Sequence, residues 1–260
     1  MKKPTLALLA AAAVLSTLPG AARAEDPPAS PLSFNVGVIS DYRYRGISQT
    51  RLKPALQGGA DYAFASGFYL GTWASSIKWI EDAYGDARME IDLYGGYKGE
   101  ISKDLTYDVG VLQYVYASAK TKLWDASYKD PNTTEVYGAL TMGPATAKLS
   151  YALTNLFGNY DFAKKKDSKG SLYLDLSASF DVGSGLTLAP HVGYQKVTHI
   201  SNASYTDYSL TLSKDLNGLA PSVAIVGTNA DKNFYVPGGA ANSTKFLGKT
   251  AVVVGLKYTF

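Results

Sequence analysis

From Phe34 to Phe260 the chain keeps returning to one pattern: apolar side chains at every second position, sustained over stretches longer than an ordinary strand. Residues 252–260 put Val252, Val254, Leu256, Tyr258 and Phe260 on one side and Gly255, Lys257 and Thr259 on the other. Residues 172–180 set Leu172, Leu174, Leu176, Ala178 and Phe180 against Tyr173, Asp175, Ser177 and Ser179. Residues 89–97 divide Met89, Ile91, Leu93 and Tyr97 from Glu90, Asp92 and Tyr94. Helical spacing is scarce, so the period of two predicts an all-β chain.

Twelve such segments can be marked: 34–46, 54–65, 68–77, 88–98, 104–117, 132–143, 145–155, 170–180, 186–198, 204–214, 219–228 and 249–260. Pro190 interrupts the ninth, and a residue without an N–H predicts a bulge or a strand end there. The connections alternate in length. Ser66-Gly67, Gly99 to Lys103, Gly143-Pro144, Asp181 to Gly185 and Asp215 to Gly218 are short and turn-like. Those between them, 47–53, 78–87, 118–131, 156–169, 199–203 and 229–248, are mostly longer and polar. An up-and-down antiparallel meander with short turns at one end and long loops at the other predicts an outer-membrane β-barrel of about 12 strands, both termini on the periplasmic side. No domain boundary falls within 34–260.

A secreted β-sandwich would also alternate, but its strands commonly run about five or six residues, whereas a tilted membrane strand needs about 9–11. Hydrocarbon offers backbone groups no partner, so a sheet can span it only by closing on itself. The first two dozen residues agree with export. Lys2 and Lys3 precede an apolar stretch from Leu6 to Leu18, and Ala22-Arg23-Ala24 is a small-x-small cleavage site. This reads as a signal peptide over 1–24, with a flexible lead-in at 25–33 and the barrel at 34–260. Removing 24 of 260 residues leaves 236, and with Lys2, Lys3 and Arg23 gone, 22 basic residues face 22 acidic ones. A neutral mature chain has no electrostatic footprint for nucleic acid. Without cysteine there is neither a disulfide framework nor a thiolate metal site.

Inside such a barrel, parity assigns the lumen Asp41, Arg43, Arg45, Asp61, Arg88, Glu90, Asp92, Glu135, Asp175 and Lys257 as pore-lining candidates, with Asp108, Lys148 and Asp207 on the same face. Arg43 and Arg45 are the preferred constriction, with Asp41, Glu90 and Asp92 opposing them. Side chains fill barrels of eight strands and leave a channel at 16–18, so twelve predict a narrow or partly plugged pore. Phe34, Tyr42, Tyr44, Phe64, Phe180 and Tyr258 are the expected membrane-interface aromatics, Tyr42 and Tyr44 at the outer boundary and the others at the periplasmic one. Tyr258 and Phe260, closing an alternating run, resemble the signal that the outer-membrane assembly machinery reads. Gly58-Gly59, Gly95-Gly96 and Gly238-Gly239 read as room for curvature or turns.

The stretches SDYRYRGISQT (40–50), GFYLGTWAS (67–75), EIDLYGGYKG (90–99), YDVGV (107–111), TEVYGAL (134–140) and YTDYSLTLSKDL (205–216) carry a family likeness. With them the chain resembles the TorF family of porin-like outer-membrane proteins over nearly its whole mature length. The resemblance implies a barrel in the Gram-negative outer membrane and a pore, and supplies no substrate. The expected function is passive diffusion of small hydrophilic solutes with a mild cation preference; the expected partners are outer-membrane lipid and lipopolysaccharide. Two other readings compete. A closed barrel could serve adhesion or structure through its loops, the lysine-rich one around 161–169 facing lipopolysaccharide phosphates. A lipid A-modifying enzyme could use His199 and Ser201, with Asp207 standing in for the acid that a nucleophilic site requires. No cofactor motif occurs, and His191 and His199 look isolated.

Overall fold

The computed structural model describes residues 30–82, 86–117, 129–237 and 244–260. The signal peptide with its cleavage after Ala24, most of the lead-in, and Gly238-Gly239 lie outside the described residues. Twelve strands form one ring. They are β1 (Leu32–Ile39), β2 (Ala55–Ala63), β3 (Phe68–Ser76) and β4 (Met89–Ser102). Next come β5 (Leu105–Val115), β6 (Thr133–Met142) and β7 (Ala145–Ala152). After them runs β8 (Leu172–Ala178, continued after Ser179 as Phe180–Gly183). The ring ends with β9 (Leu186–Lys196), β10 (Tyr205–Lys214), β11 (Leu219–Thr228) and β12 (Ala251–Thr259). Each strand pairs antiparallel with the next, and β1 pairs with β12 from Asn35↔Thr259 to Ile39↔Gly255. The sheet therefore has no free edge, and its strands pair with one another all the way round, as a membrane demands.

Alternation now acquires its direction. Outward on successive strands stand Val36 and Val38, Leu70, Leu93, Val109 and Val111, Leu140, Leu149, Leu174 and Leu176, Leu210, Val223 and Ile225, and Val252 and Val254, all exposed. Large apolar side chains on a solvent-facing surface this extensive would be unstable in water; against acyl chains they are at home. Between them point Asp61, Glu90, Asp92, Asp108, Glu135, Lys148, Asp175, Asp207 and Lys257, into the lumen. The structure is an up-and-down transmembrane barrel of twelve strands. Turns at one end are tight, at 64–67, 103–104, 143–144, 184–185 and 215–218; the other end carries all the long connections.

Aromatic rings gather at the short-turn end. Phe34, Phe64, Phe180 and Tyr258 are all exposed there. Phe34 stacks on Phe260 at 5.8 Å and Tyr258 on Phe260 at 5.5 Å; Phe68 meets Tyr97 edge-on at 4.9 Å. Phe34 and Phe260 also exchange backbone hydrogen bonds of 2.8 and 2.9 Å, fastening the first strand to the last.

Three expectations need correction. The lead-in ends sooner than Ser33, because β1 starts at Leu32. Pro190 neither bulges nor ends its strand: it sits inside β9 opposite Leu210, and the ladder breaks instead on the other side. There the pairing passes from Ser177↔His191 to Phe180↔Leu188, and β8 loses regularity at Ser179. The first segment, read as one strand to residue 46, stops at Ile39. Beyond Ile39 the chain turns inward.

Candidate functional site: a lumen crossed by an inserted hairpin

Residues 40–54 join β1 to β2 by dipping into the barrel. Arg43–Tyr44 and Ile47–Ser48 pair as a minimal hairpin, Arg43↔Ser48 and Tyr44↔Ile47, around the two-residue turn Arg45-Gly46. Both turn residues have positive φ, 45° and 78°. A two-residue hairpin needs that conformation at both positions; glycine adopts it freely, whereas an arginine there costs on the order of 1 kcal/mol. Gly46 is also sterically fixed, since a Cβ on it would stand 2.4 Å from Thr228 Cγ2 and 2.8 Å from Asp207 Cβ. The hairpin tip is thus pressed against the wall formed by β10 and β11.

The hairpin's side chains reach most of the circumference. The Tyr42 hydroxyl donates to Glu90 Oε1 on β4 at 2.5 Å, and its ring lies edge-on to Trp73 on β3 at 5.4 Å. Tyr44 hydrogen-bonds the Tyr114 hydroxyl on β5 at 2.5 Å and packs its ring against Phe157. Arg45 donates to Glu135 Oε2 on β6 at 2.7 Å and to Gln195 Oε1 on β9 at 2.6 Å. Its guanidinium lies 4.2 Å over the ring of Tyr173 on β8 and 4.8 Å from that of Tyr44. Ile47 packs with Tyr205 of β10 and Leu247. Contacts to strands on opposite sides of the ring mean that the segment crosses the lumen near its long-loop end.

Asp41 and Arg43 hold the hairpin's base. Arg43 Nε donates to Asp41 Oδ2 at 2.6 Å, and Ser48 donates to Asp41 Oδ1 at 2.5 Å. Arg43 Nη1 donates to the carbonyl oxygens of Gly46, Leu247 and Lys249 at 3.0, 3.1 and 3.0 Å. The last two belong to the segment leading into β12, so one guanidinium ties the first connection to the last.

Below the hairpin the carboxylates sort by partner. Glu90 accepts from Tyr42 and, at 2.6 Å, from Tyr116. Glu135 accepts from Arg45 and, at 3.2 Å, from Tyr114. Asp92, 1% exposed, has no hydrogen-bond partner on either oxygen among the described residues. An unpaired buried carboxylate is costly, and cation or water access is what would relieve it. Asp61 accepts from Tyr94 at 2.5 Å, and Asp108 from Tyr69 at 2.6 Å, Tyr69 also bonding Tyr137. Lys148 places its ammonium 3.9 Å over the Tyr137 ring, and Lys98 lies 3.9 Å from Asp108.

Arg45, expected to face Asp41, Glu90 and Asp92, is instead paired with Glu135, while Glu90 and Asp92 lie on β4, and Asp61, Asp175 and Lys257 face inward on their strands. Tyr42 and Tyr44 are not interface aromatics: they are buried inside the barrel, because the strand that would carry them to the rim has already ended. Arg88 does not line the pore. It stands just before β4 among the outer connections, its side chain 80% exposed and its Nε 2.7 Å from Glu81. His191, which looked isolated, lies 2.9 Å from Asp175 Oδ2 and 3.6 Å from Asp207 Oδ1, and 3.2 Å from the Tyr173 hydroxyl. Asp207 in turn accepts from Tyr173 at 3.1 Å. The carboxylates of Asp175 and Asp207 flank Gly193, which is the register partner of both. Sequence reading missed the tyrosines that clothe these acids; their inward parity was the available signal.

The enzymatic constellation does not assemble. His199 is exposed, and its Nδ1 lies 2.7 Å from the backbone oxygen of Asp167, while Asp207 is engaged by Tyr173 and His191. Among the described residues no carboxylate orients the His199 imidazole.

Similar folds are known. The KdgM porin superposes with a TM-score of 0.54 at 12% identity, over 88% of this chain and 99% of its own. A KdgM porin in complex with disordered oligogalacturonate gives 0.53 at 12% identity, over 88% and 98%. A NanC porin gives 0.52 at 10%, again over 88% and 98%. At such identities the likeness is one of fold. No curated protein matches the sequence. A family profile does, from residue 23 to residue 260, and by that match the chain belongs to the family described as bacterial protein of unknown function (Gcw_chp).

Proposed function

We propose that this protein is a channel of the bacterial outer membrane, passing small hydrophilic solutes with a preference for cations, and that the 40–54 hairpin restricts its lumen. The observation that carries this reading is the inserted hairpin over an acidic interior. An interior committed only to stability would pair its charges. Yet Asp92 stands unpartnered beside Glu90 and Glu135, and among the described residues Arg45 is the one cation bound to them. Rings of like charge select ions in pores. The fold shared with the KdgM and NanC porins supports a pathway, and the resemblance to TorF proteins fits it. In this reading the long loops face outward, the tight turns face the periplasm, the export signal is cut near Ala24, and Tyr258 and Phe260 engage the assembly machinery.

Planar-bilayer recording tests it. Purified protein should give single-channel steps whose reversal potential in a salt gradient has the sign for cations. Replacing Arg43 to Ser48 by a Gly/Ser segment of equal length should raise the unitary conductance several-fold. Anion preference overturns the charge argument. Silence from both proteins favours the second reading, a closed barrel that displays its loops; the fit of the hairpin against β3 through β11 is what recommends that alternative.

A further inference from the structure

The guanidinium of Arg45 occupies a cage whose three nearest groups come from the barrel wall. Glu135 on β6, Tyr173 on β8 and Gln195 on β9 supply a carboxylate, an aromatic face and an amide oxygen at 2.7, 4.2 and 2.6 Å. Each is held from behind. Gln195 Nε2 donates to the Leu172 carbonyl at 2.9 Å, which fixes its oxygen toward the lumen. The Tyr173 hydroxyl is bound by Asp207, and Glu135 keeps the Tyr114 hydroxyl at 3.2 Å. Tyr173 and Gln195 are register partners across the β8–β9 ladder, so two of the three groups share a rigid base. A carboxylate beside a ring face is the arrangement that recognises a planar cation, and the paired acceptors match a guanidinium fork better than a compact ammonium.

The occupant is unusual in its backbone. Arg45 holds φ at 45° in a turn position that glycine or asparagine fills with less strain. The strained turn seats the Arg45 side chain in the cage.

We infer that the Glu135–Tyr173–Gln195 cage is a binding site for guanidinium-bearing solutes, and that Arg45 is its built-in competitor, seated when no solute is present. The inference rests on the channel reading and deepens it by naming a substrate class. A solute that takes the cage must first displace Arg45, and it thereby favours the hairpin's unseated state, since a ligand shifts an equilibrium only through a difference in affinity between two states. Occupancy and opening become one equilibrium.

The test is an Arg45→Gly variant, which relaxes the turn while emptying the cage, titrated with methylguanidinium and with neutral, isosteric methylurea. Isothermal titration calorimetry in detergent micelles should show methylguanidinium binding at least ten-fold more tightly than methylurea in R45G, and at least ten-fold more tightly there than in the unsubstituted protein. R45G/E135Q should lose most of that affinity, and unchanged near-ultraviolet circular dichroism would show that both variants keep the native packing. Equal binding of the two probes, or equal binding to the proteins with and without Arg45, overturns the cage. In bilayers, methylguanidinium should block the R45G current at concentrations that leave methylurea without effect. Binding without any conductance keeps the cage and removes the channel; conductance without selective binding does the reverse.

Discussion

At the scale of single residues, the hairpin tip sets the tightest constraint. Gly46 combines a positive φ with contacts that leave no room for a methyl group against Thr228 and Asp207. Gly46→Ala should lift the hairpin off β10 and β11 at a cost of about 1–3 kcal/mol. Amide hydrogen exchange should then quicken at residues 42–48 while the barrel strands keep their protection; unchanged exchange would sink the account. Arg45-Gly46, flanked by Tyr44 and Ile47, was a visible turn signal, but alternation ran on through Asp41, Tyr42 and Arg43 and made the segment look like more strand. The Asp175–His191–Asp207 cluster escaped notice for another reason. Its members are distant in sequence, and only the register through Gly193 brings the three strands together.

Among the elements, the strands are held by backbone ladders and the loops by side-chain-to-backbone hydrogen bonds. Ser168, fully buried, receives the backbone N–H of Leu156 at 2.9 Å, donates its hydroxyl to the Asn159 carbonyl at 2.6 Å, and gives its own N–H to Asn155 Oδ1 at 2.9 Å. Ser168→Ala strands the partners of the hydroxyl, each at roughly 1–3 kcal/mol. Limited proteolysis at Lys164 to Lys166 should accelerate several-fold with the barrel core intact. The short helix Trp79–Asp82 offers a pH effect. Hydrogen bonding from Lys78, helped by Arg88, holds the Glu81 carboxyl below its ordinary value, so folding of this loop gains from the ionised form. That contribution is complete above the ordinary carboxylate range and fades as pH drops through it toward the lowered value; the protection factors of the 77–82 amides, each rate taken against the intrinsic rate at the same pH, should fall on acidification in wild type and not in Glu81→Gln. Strand positions were legible because two-fold alternation is dictated by the two solvents. The loops' internal bonding carries no such period.

For the molecule as a whole, one closed sheet separates two environments, and stability should depend on the face a substitution meets. Leu210 points to lipid near the middle of β10, whereas Ser209 beside it points into the lumen. Leu210→Arg should cost about 2–4 kcal/mol in reversible unfolding from lipid bilayers, and Ser209→Arg clearly less. Equal costs would contradict the assigned faces. The fold itself was readable down to strand number, because loop lengths alternate with the direction of travel. Strand number predicted a narrow or partly plugged pore, but not which segment enters it, since nothing in a pattern of period two distinguishes an empty lumen from one entered by the chain's own connection.

Arg43 binds carbonyls at 247 and 249, more than two hundred positions further along the chain, next to the junction where the first and final strands meet. That junction is the one pairing in the ring made between the chain's distant ends, and so the natural place for such a cylinder to part sideways into the bilayer. A rivet inserted from within the tube locks this seam at its outer rim. Unseating the hairpin would then loosen the wall as well as clear the passage.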